Sequence, residues 1–257
     1  MKKIKTAVRR YYPFGLILMA LLGFFEWSVS AGITPHFIIP KPSSVVLTLI
    51  EQYELLWRHT LITLLEVAVG LGVSIGLGIP LGILLHYSSW AKRALYPFVL
   101  VSQTIPIIAL SPIFVMWFGY GLTIKVAVIF LFCFFPLVVS TYDGLKVTDP
   151  AYLSLFRNLK ASKWQMFKYL QWRMALPSVL SGIKLSVIYA LMGATVGEWL
   201  GGSDGLGYYI RRTASNLKAD GVFAGIVILS LIGLILFGIV SGLEAVLLHY
   251  RNQERNA

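Results

Sequence analysis

A few ionisable residues lie inside or at the edge of long apolar runs: Glu26, Glu66, Lys184, Glu198 and Glu244. A carboxylate carried into a bilayer is costly. Where one occurs it marks a proton relay, a solute path or an ion pair with another span. Glu66 lies deepest, and it reads equally as a transport carboxylate or as half of a structural pair. Glu26, Lys184 and Glu198 fall near expected span ends, where snorkelling or interfacial exposure accounts for them. Other chemistry is missing. There is no G-x-x-x-x-G-K-[ST] loop to cradle nucleotide phosphates and no G-x-S-x-G nucleophile elbow. His36, His59, His86 and His249 are far apart and show no metal-ligand spacing. The single cysteine, Cys133, sits in an apolar run and has no partner in the chain.

The elements that would carry these residues are membrane spans. The chain has 257 residues, 57% hydrophobic and 13% charged, with a mean hydropathy of +0.77. A soluble domain carries about twice that charged fraction. The apolar residues come in blocks of about 20, enough to cross a hydrocarbon core. The fold class is therefore an all-α integral membrane protein with six transmembrane helices. The short alternating segments of a transmembrane barrel are absent. The net charge of +11 reflects orientation in the membrane rather than nucleic-acid binding.

Residues 1–59 read as a basic N-terminal segment, a first span from Pro13 to about Ala31, and a mixed outer segment with a surface helix over Ser44–Trp57. Val29-Ser30-Ala31 also resembles a signal-peptide cleavage site, which gives a second reading of the first span. Residues 60–249 form the core. The second span, Thr60–His86, has Gly72 and Gly76, and again Gly78 and Gly82, four residues apart, a spacing that lets helices approach closely in lipid. Ser88–Ala94 reads as a turn. The third span, Leu95–Phe118, is broken by Pro97, Pro106 and Pro112. It carries Gln103, Thr104 and Ser111, with Trp117 and Tyr120 near its end. Freed carbonyls and polar side chains in one span point to a lined pathway. The fourth span is Ile124–Tyr142, the fifth Ser178–Leu200 and the sixth Val222–His249, followed by a tail over 250–257. Between the last two spans, Gly201–Gly221 is a glycine-rich polar loop with one short helix.

The longest polar interruption, 143–177, holds Lys146, Arg157, Lys160, Lys163, Lys168 and Arg173 against Asp143 and Asp149. It reads as two short helices. Asp149 caps the first, with Pro150 in its first turn, where a missing N–H does no harm. Tyr152, Leu153, Leu155, Phe156 and Leu159 fall on one face. Ser162 and Gln165 form a capping box for the second helix, which continues through Phe167, Leu170 and Met174 to Pro177. Most of the 22 Lys and Arg residues fall in the N-terminal segment, in Ser88–Ala94, in this stretch and in the tail. That bias places both termini and this stretch in the cytoplasm.

This stretch resembles the cytoplasmic loop of the permease subunits of binding-protein-dependent ABC importers, down to Ala175-Leu176-Pro177 before a span. The likeness continues through SQTIPIIALSPIFVMWFGYG (102–121) and VGEWLGGSDGLGYYI (196–210), and covers about Thr60–Glu244. It is closest to the subgroup importing sulfonates, taurine, nitrate or pyrimidine precursors of thiamine. Two features depart from the family. Its usual Glu-Ala-Ala is replaced by Ser154, Leu155 and Phe156, and its turn glycine by Lys160. If that turn needs a left-handed backbone, lysine costs about 1 kcal/mol.

The resemblance implies a type I permease fold in a bacterial inner membrane and a transport subunit rather than an enzyme. This chain would bind no cofactor, with ATP and Mg held by a separate ATPase subunit. Tyr152, Leu155, Phe156, Leu159, Ala161, Ser162 and Phe167 would dock that ATPase. Gln103, Thr104, Ser111, Trp117 and Glu198 would line the path. Gly205, Leu206 and Gly207 would form a periplasmic gate. A second permease copy, membrane lipid and a periplasmic or lipid-anchored substrate-binding protein complete the expected partners. The solute is a small organic nutrient, and the likeness of Gly193–Gly207 points to a pyrimidine-type thiamine precursor ahead of a sulfonate, taurine or nitrate. The rival reading is a proton-coupled secondary transporter with Glu66 or Glu198 as carrier. It lacks visible inverted repeats and a charged midplane cluster.

Overall fold

The computed structural model describes residues 2–248, with side chains placed from Tyr12 onward except Phe14. The expected tail, with His249, Arg251 and Arg255, lies outside the described residues. Among the described residues all regular structure is helical: α1 (Lys2–Ser30), α2 (Pro42–Glu51), α3 (Tyr53–Tyr87), α4 (Ser89–Ser102), α5 (Ser111–Phe118), α6 (Leu122–Lys146), α7 (Pro150–Asn158), α8 (Lys163–Met166), α9 (Trp172–Gly201), α10 (Leu206–Ser215) and α11 (Ala219–Leu247).

The core is α3, α6 and α9. Small residues set how they meet, because in lipid close backbone approach replaces the hydrophobic drive. Gly70 of α3 abuts Ile129 of α6, and an added Cβ at Gly78 or Gly82 would lie 3.0 Å from Leu137 Cβ or 2.6 Å from Thr141 Cβ. Partners rise together in fours, so α3 and α6 are parallel. In α9 they run the other way: Gly182 meets Ser140, Gly193 meets Ile129 and Gly197 meets Lys125. Midway, Cys133 Sγ donates to Ser186 O and Ser186 Oγ to Cys133 O, both at 3.2 Å. Cys133 is thus buried in a span interface, as its setting predicts.

Parallel α3 and α6 force the chain between them to cross back from one end of the bundle to the other. It does so through α4 and α5, which meet at a bend of 95° around a 3₁₀ turn at Ile107–Leu110. Four further helices are long and apolar enough to span: α3, the continuous stretch Lys163–Gly201, α6 and α11. The broken pair makes a fifth. The first expected span falls in α1, whose described apolar part, Gly15–Ser30, is shorter than the others.

Several boundaries differ from expectation. The surface helix stops at Glu51, and Tyr53–Trp57 belongs to α3, because nothing between Gln52 and Thr60 breaks a helix. Only Ser88 interrupts the chain after α3. Its hydroxyl caps α4 by accepting from Ala91 N–H at 3.1 Å, so the expected turn at Ser88–Ala94 is mostly helix. Gly72 and Gly76 have no atom near an added Cβ; of the two glycine pairs, only Gly78 and Gly82 pack. Pro177 does not close its segment. It lies within α9, which continues from α8 through a π-helical turn at Phe167–Gln171. Membrane helices tolerate such prolines where neighbours satisfy the freed backbone group.

Candidate functional site

One end of the bundle carries α7 and α8. Asp149 accepts from Ala151 N–H at 2.8 Å, and Pro150 opens α7. The helix ends as a Schellman turn: Lys160 N–H donates to Arg157 O (2.9 Å) and Ala161 N–H to Phe156 O (3.0 Å). Lys160 takes φ of +54°, the left-handed conformation expected where lysine replaces glycine. Ser162 and Gln165 make the reciprocal capping box that opens α8.

The expected docking residues divide. Tyr152, Leu155 and Leu159 are 52%, 51% and 70% exposed, and Ser162 is exposed beside them. Phe156 and Ala161 are half-buried. Phe167 turns inward, its ring 6.0 Å from Tyr87 and 5.9 Å from Trp172. Beneath it the buried Gln171 accepts from Tyr87 Oη and pairs with His86 Nε2 at 3.3 Å. This joint ties the end of α3 to the π turn. Sequence reasoning missed Gln171, and also Trp164, which is 66% exposed in the first turn of α8. An aromatic residue among lysines was the available signal for Trp164.

The broken span holds the path candidates. Gln103 and Thr104 are exposed at its break, where Thr104 Oγ1 donates to Val101 O at 2.7 Å. Ser111 starts α5, and Trp117, 73% exposed, lies near its far end. Glu198 is fully buried at the opposite end of the bundle from α7, which corrects the expectation of interfacial exposure.

Glu198 belongs to a polar latch on the turn before α10. Its Oε1 accepts from Thr63 Oγ1 (2.6 Å) and its Oε2 from Gly207 N–H. Thr63 Oγ1 in turn accepts from Leu206 N–H (2.9 Å), and His59 Nδ1 from Gly205 N–H (3.0 Å). Lys125 Nζ donates to Glu66 Oε1 (2.5 Å) and to Asp204 O (3.0 Å). Side chains from α3, α6 and α9 thus claim one carbonyl and three successive amides of the turn. A buried ion pair relies on further hydrogen bonds to offset its desolvation. The turn supplies one, accepted by Asp204 O from Lys125 Nζ, while Glu66 Oε2 is buried without a hydrogen-bond partner among the described residues. Gly205 has φ of +110°, and a Cβ there would fall on the Glu198 carboxylate. The expected gate residues Gly205, Leu206 and Gly207 are therefore brought to Glu198 and held. Sequence alone did not give His59, Thr63 or Lys125 this role. The one signal was the presence of opposite charges in separate spans, which must pair. Lys184 likewise pairs with Glu244, whereas half-buried Glu26 accepts from Ser43 N–H (3.0 Å) and Oγ (2.7 Å). No group of three or more metal-ligating side chains occurs among the described residues.

Residues 74–247 match the family described as binding-protein-dependent transport system inner membrane component. The chain belongs to this family. Such a permease is a multi-pass inner-membrane protein and a transport subunit of an ABC importer, not an enzyme. The permease is 44% identical to the formylaminopyrimidine transport permease ThiX of Halalkalibacterium halodurans, over 96% of this chain and 99% of that one. It is 33% identical to the putative aliphatic sulfonates permease SsuC of Bacillus subtilis, over 96% of this chain and 91% of that one. Among solved structures it resembles the MetNI methionine ABC transporter in an inward-facing conformation. There the TM-score is 0.61 at 18% identity, covering 74% of this chain and 98% of that one. That likeness supports the type I permease fold.

Proposed function

We propose that this permease imports a pyrimidine-type precursor of thiamine into the cytoplasm. The observation that carries the solute class is the 44% identity, over nearly the whole chain, to a formylaminopyrimidine permease. In this reading α7 and α8 face the cytoplasm and seat on an ATPase subunit. Lys92, Arg93, Lys146, Arg157, Lys160, Lys163, Lys168 and Arg173 lie toward that end, which supports the inside assignment, and in this reading the N-terminus lies on the same side. The turn before α10 then faces the periplasm, where a binding protein delivers the solute. A second permease copy closes the path, whose first wall is the broken span. ATP-driven closure of the ATPase pair moves α7 and α8, and the spans alternate between outward and inward openings.

The test is uptake by proteoliposomes holding the permease, its ATPase and the co-encoded binding protein. ATP-dependent accumulation of radiolabelled amino-hydroxymethyl-methylpyrimidine is expected. Accumulation of taurine or an alkanesulfonate in its place would reassign the solute, and ATP-independent uptake would remove the importer reading.

A further inference from the structure

The break in the third span stands over the middle of α6 and α9 and leaves a crevice of about 330 Å³. Its walls include Phe132 and Phe135 from α6 and Tyr189 from α9, and its rim is Ser102 and Gln103 at the end of α4. No charged side chain lines it. That lining suits a planar aromatic ring, which stacks on phenyl and phenol faces. It does not suit a sulfonate or nitrate, which needs a cation or charge-assisted donors.

The polar groups are sparse and partly unused. Ser102 Oγ is committed to Val99 O at 3.0 Å. Gln103 Nε2 reaches Val99 O only at 3.4 Å, so its carboxamide keeps acceptor and donor capacity. A glutamine carboxamide can pair bidentately with an amino N–H and the adjacent ring acceptor, as it does on adenine. An aminopyrimidine carries the same kind of edge. Broken membrane helices are also where transporters place solute sites, because freed backbone groups there face a cavity rather than lipid.

We propose that this crevice is a transit site for an uncharged aminopyrimidine, with Gln103 reading its amino edge and Phe132, Phe135 and Tyr189 stacking its ring. The proposal rests on the importer reading above. It adds that the permease itself discriminates, independently of the binding protein.

The test uses the assembled permease–ATPase complex in nanodiscs without binding protein. Equilibrium dialysis is run with radiolabelled amino-hydroxymethyl-methylpyrimidine and, separately, with taurine. Saturable binding of the pyrimidine and none of taurine is expected. Gln103→Leu and Phe135→Ala should each weaken it by about tenfold or more. Gel filtration checks that each variant is assembled, and Tyr189→Phe, which keeps the ring, should retain most of the binding. Absence of pyrimidine binding, as for a crevice filled only by lipid, would overturn the proposal. So would binding indifferent to Gln103→Leu, or binding of taurine. Pyrimidine uptake in proteoliposomes with an empty crevice would sink this inference alone; no pyrimidine uptake at all would sink the functional reading beneath it.

Discussion

α7 and α10 are the same device used twice. They are 9 and 10 residues long. Each ends in a Schellman turn on a non-glycine residue with a left-handed backbone, Lys160 at φ +54° and Leu217 at φ +55°. At the second, Leu217 N–H donates to Ala214 O (3.0 Å) and Lys218 N–H to Thr213 O (2.9 Å). Their surroundings differ. α10 buries Leu206, Gly207, Tyr209, Ile210 and Thr213, whereas α7 buries none of its residues. The cover for α10 comes from α3, α9 and α11 of the same chain. α7 keeps Tyr152 and Leu155 in the open, uncovered by any of the described residues.

Substitutions on covered and uncovered surfaces should separate accordingly. The largest effect is expected at Gly205→Ala, where the new methyl meets the Glu198 carboxylate on a backbone that disfavours it. Loss of about 3 kcal/mol or more should appear as a lower melting temperature of the purified permease; an unchanged melt would mean the latch stands open in solution. Next comes a pair on α3. Gly78→Leu should destabilise the bundle by about 2 kcal/mol through overpacking against Leu137, whereas Gly76→Leu, in open space, should leave the melt of the isolated chain alone. Equal effects would dissolve the distinction between the two faces.

On the uncovered side, Leu155→Asp should weaken ATPase association about tenfold, or about 1.4 kcal/mol. It should shift the melt by no more than about 0.5 kcal/mol. Co-purification of the ATPase at the wild-type level would show that α7 docks by another face. The smallest effect is expected where the two helices are alike. Lys160→Gly and Leu217→Gly should each stabilise by up to about 1 kcal/mol, because glycine accepts the left-handed turn. A destabilised Lys160→Gly in urea titration would show that the lysine side chain, not the backbone, holds that turn.

Legibility followed how local the chemistry is. Asp149-Pro150 and Ser162 with Gln165 were readable because a cap is made within four residues. The αL turn at Lys160 was flagged only through the family resemblance, which has glycine at that position. The spans followed from hydropathy, and the break in the third from its prolines. The latch was not legible, since it brings side chains from 59 to 198 onto backbone groups of 204–207 and nothing in the spacing pairs Lys125 with Glu66. The glycines of α3 show a subtler gap. Gly72 with Gly76 and Gly78 with Gly82 have the same spacing, yet they lie on different faces, and only the position of α6 decides which pair packs. Pro177 reads as a stop by the rule for water-soluble helices and is overruled in a membrane span.

The parallel contact of α3 with α6 works as a ruler. From Gly70 to Gly82 its partners advance in step from Ile129 to Thr141. The same helix reaches the latch through His59, Thr63 and Glu66, and the π turn through His86 and Tyr87. One residue inserted anywhere between would rotate everything beyond it by about 100°. It would swing Gly72 and Gly76 toward α6 or cast one set of end contacts into lipid. α3 therefore admits substitutions but not insertions.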